Sequence, residues 1–155
     1  MKTILKYAGL AAAAAVMTTS TSANAQLRVW EDYTPAENVV ELTYVKVDEG
    51  QLDTYLEGLK QTWVQAHEVN KTLGTVESYG IYTVPYGSNE VNLVLRVTYP
   101  NMAALNTSKE QYDRFMDAWG NANQENSTRT VREVYNNIRK IKGTYLLRGL
   151  TIDLD

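Results

Sequence analysis

Cysteine is absent from the 155-residue chain, and histidine and phenylalanine occur once each. Without cysteine there is no disulfide, no thiol nucleophile, no acylated lipoprotein anchor and no thiolate-held zinc or iron–sulfur centre. A single histidine, His67, restricts any imidazole chemistry to one position. With no second histidine and no acidic cluster beside it, a catalytic zinc or non-haem iron site is excluded from the reading, so no metal site is expected. Long apolar runs are also lacking. The longest, Ala8 to Met17, falls short of the roughly 20 residues that span a bilayer.

That short run has a function of its own. Lys2 and Lys6 precede it, and Ala23-Asn24-Ala25 follows it with small residues at the −3 and −1 positions. This order predicts a secretory signal peptide over 1–25, cut after Ala25, and a periplasmic or secreted protein with no membrane insertion after cleavage. Removing it leaves 155 − 25 = 130 residues, enough for one domain folded by packing alone. Two of the 15 basic residues leave with the peptide and all 18 acidic ones stay, so the net charge becomes 13 − 18 = −5. Nucleic acid and anionic membrane surfaces attract basic proteins, so neither is expected as a partner.

The mature part opens with an extended lead-in over 26–37, followed by a domain over 38–155. Val39 to Val47 (VVELTYVKV) is β-branched and aromatic, the composition of a strand. Gln51 to Leu73 carries Leu52, Tyr55, Leu56, Leu59, Trp63 and Ala66 at three- and four-residue steps, which predicts one amphipathic helix ended by Gly74. Thr75–Val84 and Val91–Tyr99 read as two strands joined by the short Pro85–Glu90 turn. Met102 to about Gly120 reads as helical, Asn121 to Ser127 as a polar break, and Thr128 to Lys140 as a further helix. Gly143 then precedes a last strand from Thr144 to Leu150. The order is β-α-β-β-α-β. It predicts an α+β, ferredoxin-like fold with a four-stranded antiparallel sheet and its helices on one face.

Strands in such a sheet are apolar on one side only, yet here Leu42 and Tyr44 oppose Val45 and Val47. A second copy of the sheet is the simplest cover, so a homodimer is expected. On VVELTYVKV, YLEGLKQTWVQAHEVNKTLG, SYGIYTV and VNLVLRVTYPNMAAL, the chain resembles the dimeric α/β-barrel superfamily over about Val39 to Leu150. That superfamily includes cofactor-independent monooxygenases, haem-degrading enzymes, lactone isomerases, polyketide cyclases and members without known activity. The resemblance implies either a binding protein for a small apolar or aromatic ligand, or a cofactor-independent monooxygenase, isomerase or cyclase acting on a small aromatic substrate.

The candidate catalytic residues are His67 and Arg96. An imidazole beside Trp63, on the flank of the helical stripe, suits a base with a lowered pKa or an axial ligand to haem, so haem stays open as a cofactor although none is required. Arg96 interrupts an apolar strand, and a buried cation needs an acid, solvent or a ligand oxyanion. The candidate ligand-binding residues are Trp63, Tyr44, Tyr79 and Tyr82, because tyrosine and tryptophan join apolar area to a polar handle.

Overall fold

The computed structural model describes residues 27–153, so the signal segment 1–25 lies outside the described residues. Four strands carry the fold: β1 (Tyr33–Val47), β2 (Ser78–Thr83), β3 (Leu93–Tyr99) and β4 (Arg139–Ile152). They lie in the order β2-β3-β1-β4, every neighbouring pair antiparallel. Between β1 and β2 run α1 (Leu52–Gln61) and α2 (Trp63–Thr72). Between β3 and β4 run a 3₁₀ turn, Met102–Leu105, then α3 (Lys109–Trp119), α4 (Asn121–Thr130), a π turn, Val131–Tyr135, and a last helical turn, Asn136–Ile138. This is the ferredoxin-like β-α-β-β-α-β topology, α+β in class.

The pleat sorts the sheet residues. Val45, Val47, Leu93 and Leu95 point to the helical side, where they pack with Tyr55, Leu59 and Tyr135 into one buried core. Period-2 alternation sends Leu42, Tyr44, Val94 and Arg96 to the opposite side, which no helix among the described residues covers. Register places Gly80 beside Arg96, and Tyr145 beside Leu42, on that same open side.

Four details depart from the sequence reading. The helix expected over Gln51–Leu73 is two helices that meet at Thr62, whose φ of −124° and ψ of −79° leave the helical region. Thr62 Oγ1 donates to the Gly58 carbonyl at 3.0 Å and shares a hydrogen bond with the Tyr135 hydroxyl at 2.8 Å. A threonine turned back onto its own helix competes with the ladder and bends it. Glycine at 58 is required there, since a Cβ would lie 2.6 Å from a Tyr135 ring carbon.

The second departure is the polar break: Asn121–Thr130 is helical. It has no apolar stripe to announce itself, but its flanks are fixed by Trp119 and Tyr135, both buried. Third, β4 begins at Arg139 and runs through Gly143. Tyr44 faces Gly143 while Val45 faces Ile141, so Lys142 is the extra residue of a β-bulge. Fourth, β1 reaches back into the extended lead-in, where Tyr33–Pro35 pair with Leu150–Ile152. The β3 ladder starts only at Val39, so Pro35 has β4 alone beside it, a sheet-edge situation that tolerates proline.

Candidate functional site

His67 stands on α2 one turn after Trp63, and the two rings lie 4.2 Å apart between centroids. Tyr79, from β2, closes the group edge-on to Trp63 at 5.3 Å and 5.6 Å from His67. Tyr79 pairs with Val97 in the sheet and so faces the helices. Its hydroxyl donates to Glu68 at 2.5 Å, and this bond pushes the phenol pKa up to about 12. The same bond, with Lys71 nearby, draws the Glu68 carboxyl below its ordinary range.

His67 Nδ1 lies 2.7 Å from the Trp63 carbonyl oxygen. A carbonyl only accepts, so Nδ1 carries the proton and donates it. Burial lowers the pKa of the ring more than that bond raises it, which keeps the imidazole neutral near pH 7. Nε2 is left with a lone pair and no partner among the described residues. The ring walls a cavity of about 230 Å³ between α2, α3 and the sheet. Val76, Tyr99, Tyr112 and Phe115 supply its apolar lining, while Asn70 and Gln111 supply amides. Burial raises the Tyr99 phenol, so its hydroxyl also stays protonated.

The volume decides which occupants fit. Pockets for drug-sized molecules run roughly 300–1,000 Å³. At about 230 Å³ this one has room for a single small ring, and a neutral imidazole with a free nitrogen is a donor type that suits haem iron. Among the described residues, no group of three or more His, Asp or Glu is placed to hold a metal ion.

The structure brings Trp63, His67 and Tyr79 together and sets the other candidates elsewhere. Arg96, Tyr44 and Tyr82 occupy the open side of the sheet, so within one chain the sheet separates Arg96 from His67. Arg96 does not meet an acid there. One terminal nitrogen donates to Ser78 Oγ at 3.2 Å, the guanidinium carbon lies 5.9 Å from the Tyr82 ring centre, and Nε has no partner among the described residues. Sequence reasoning did not place Asn70, Tyr99, Gln111, Tyr112 and Phe115 in a site. Tyr99 was within reach, since it continues the Leu93, Leu95, Val97 alternation. The amides carry no such signal.

No family model and no curated protein matches the chain. Solved structures do match. A protein from Shewanella oneidensis is 9% identical, covering 78% of this chain and 98% of that one, with a TM-score of 0.45. A NIPSNAP-family protein of unknown function from Agrobacterium tumefaciens is 15% identical, covering 77% and 92%, with a TM-score of 0.44. A dimeric ferredoxin-like protein from an uncultured marine organism is 11% identical, covering 76% and 90%, with a TM-score of 0.42. The fold assignment rests on the strand order of the chain itself.

Proposed function

We propose that this chain is an exported, homodimeric α/β-barrel protein that binds a small aromatic ligand in the cavity beside His67. The ligand reading is carried by the state of that imidazole: neutral, its Nδ1–H held by the Trp63 carbonyl, its Nε2 free as an acceptor. A ligand that brings one hydrogen-bond donor, such as a phenol, complements it, and Phe115 and Tyr112 provide aromatic surface for the ring. Thermal unfolding of the mature protein against a series of simple phenols tests this. Saturating phenol should raise the melting temperature of the parent, and His67→Phe should abolish the rise. A rise of equal size in both would overturn the assignment.

A second reading, a cofactor-independent monooxygenase, isomerase or cyclase, is favoured by the same neutral imidazole, which is equipped to take a proton from an acidic substrate. In that case His67 acts without Arg96 of its own chain. Turnover should then fall at acid pH as the imidazole is protonated, and a pH-independent rate would remove His67 as the base.

The dimer is supported by the open side of the sheet and by β4. Tyr82, Tyr145 and Leu147 are exposed on the open side, and Leu146, Leu150 and Ile152 are exposed on the long edge strand. Exposed apolar edges and faces of this kind are pairing surfaces. Light scattering should report twice the mass of one mature chain. Export rests on the Ala23-Asn24-Ala25 site, and intact mass of periplasmic or secreted material should begin at Gln26.

A further inference from the structure

The open side of the sheet is apolar and aromatic, but its charge is one-sided. From Val40 to Lys46 on β1, and across the residues that share this side on β2, β3 and β4, there is no carboxylate. Arg96 stands in the middle of it, and Lys46 faces Lys140 at one end. The nearby acid is Glu90 at the rim, and it is held by Lys142 at 2.6 Å.

Two glycine–tyrosine pairs shape this side, one next to Arg96 and one on β4, across Leu42 from it. The Tyr82 ring lies over Gly80, where a Cβ would come within 3.0 Å of it, and Tyr145 lies over Gly143, where the distance would be 2.9 Å. Both rings therefore lie along the sheet instead of standing off it, and Tyr44 meets Tyr145 edge-on at 5.6 Å. The result is a low aromatic surface, with the Tyr82 ring 5.9 Å from the Arg96 guanidinium and the Tyr44–Tyr145 pair further along the sheet. Arg96 Nε and the neighbouring Thr98 Oγ1 are both buried without a hydrogen-bond partner. Arg96 is half-buried, and its buried Nε–H with no acid on this face is a donor that an arriving anion would satisfy.

We propose that Arg96, with Tyr82 beside it and Tyr44 on the next strand, forms an anion site distinct from the His67 cavity, taking a small aromatic carboxylate. The carboxylate pairs with the guanidinium, and the ring lies on that aromatic surface. In its enclosed form the site rests on the dimer proposed above. A two-fold pairing of open faces encloses two Arg96 guanidinium groups and adds no carboxylate, because each copy brings the same residues. The anion then offsets charge that the second copy cannot.

Benzoate titrated calorimetrically into the mature protein tests the site, with the neutral isostere benzamide as control and light scattering on the same samples. Benzoate should bind at least 10-fold more tightly than benzamide. Arg96→Met should weaken benzoate at least 10-fold, and Arg96→Lys less. His67→Ala should leave benzoate affinity unchanged, which separates this site from the helix-side cavity. Equal binding of benzoate and benzamide to both the parent protein and His67→Phe, which removes the acceptor in the helix-side cavity, would overturn the proposal. So would benzoate affinity lost with His67 but kept without Arg96. A monomeric mass would overturn the dimer alone, while the benzoate-to-benzamide ratio still decides the site.

Discussion

Arg96 and Val97 are consecutive in β3, and they report two different environments on the two sides of one sheet. Val97 is 3% exposed beneath the helical layer, on a side where β1, β2 and β3 give apolar residues to a common core. Arg96 keeps an unpartnered nitrogen on the other side, among tyrosines that lie flat and leucines that remain exposed. The covered side is packed within one chain along β1 and β3, while Ile141 and Leu146 of β4 stay exposed there. The open side holds groups whose partners the chain does not supply. Stability therefore belongs mainly to the first side, and recognition of other molecules to the second and to the cavity edge at His67.

The largest expected effect is on the covered side. Leu59, 1% exposed, packs at the centre of the core, and Leu59→Ala should cost about 2–5 kcal/mol in urea unfolding. On the open side Leu147→Glu should change the stability of the separated chain by no more than about 0.5 kcal/mol. The same variant should halve the mass seen by light scattering at micromolar concentration. If both substitutions destabilise a monomeric chain equally, the contrast between the sides is wrong.

A smaller effect concerns pH. Burial holds the pKa of His67 below its ordinary value of 6.5, so below pH 6.5 the unfolded chain takes up a proton that the folded chain refuses. Stability should be fully retained above that value and decline as pH falls toward the folded pKa, levelling off beneath it. His67→Gln should remove that component of the slope in acid titrations followed by circular dichroism. The smallest effect is spectroscopic. Tyr79 should remain un-ionised in ultraviolet titration until about pH 12, and Glu68→Gln should bring its ionisation down toward 10.

Much of this architecture is legible in the sequence because period-2 and period-3.6 patterns encode burial directly. VVELTYVKV and VNLVLRVTY alternate as paired strands do, and the Leu52, Tyr55, Leu59 stripe marks α1. What escapes is decided by contacts distant in the chain. Thr62 breaks the helix because Tyr135, 73 residues away, meets its hydroxyl. Asn121–Thr130 is helical because its ends are tied into the core, with no apolar pattern of its own. The site was legible in pieces. Trp63 and His67 share a helix face by spacing, while the separation of His67 from Arg96 depends on which way the pleat turns each strand residue. Periodicity predicts alternation but does not label the helical side, so the two groups of candidates were not divisible before the fold was seen.

The pairing of β1 with β4 has a consequence for how the chain reaches this state. Thr43 meets Thr144 across 101 residues and Arg148 reaches Ala36 across 112, so the central strand acquires its outer neighbour only when nearly everything else has emerged. Such long-range closure slows folding, because the entropy of a long loop is lost before the contacts that reward it form. Until then β1 presents Val40, Leu42 and Tyr44 along an unpaired edge, the kind of transient surface that invites misassociation. Refolding should accordingly be slow and concentration-sensitive, and a chain truncated before Arg139 should aggregate rather than form a three-stranded domain.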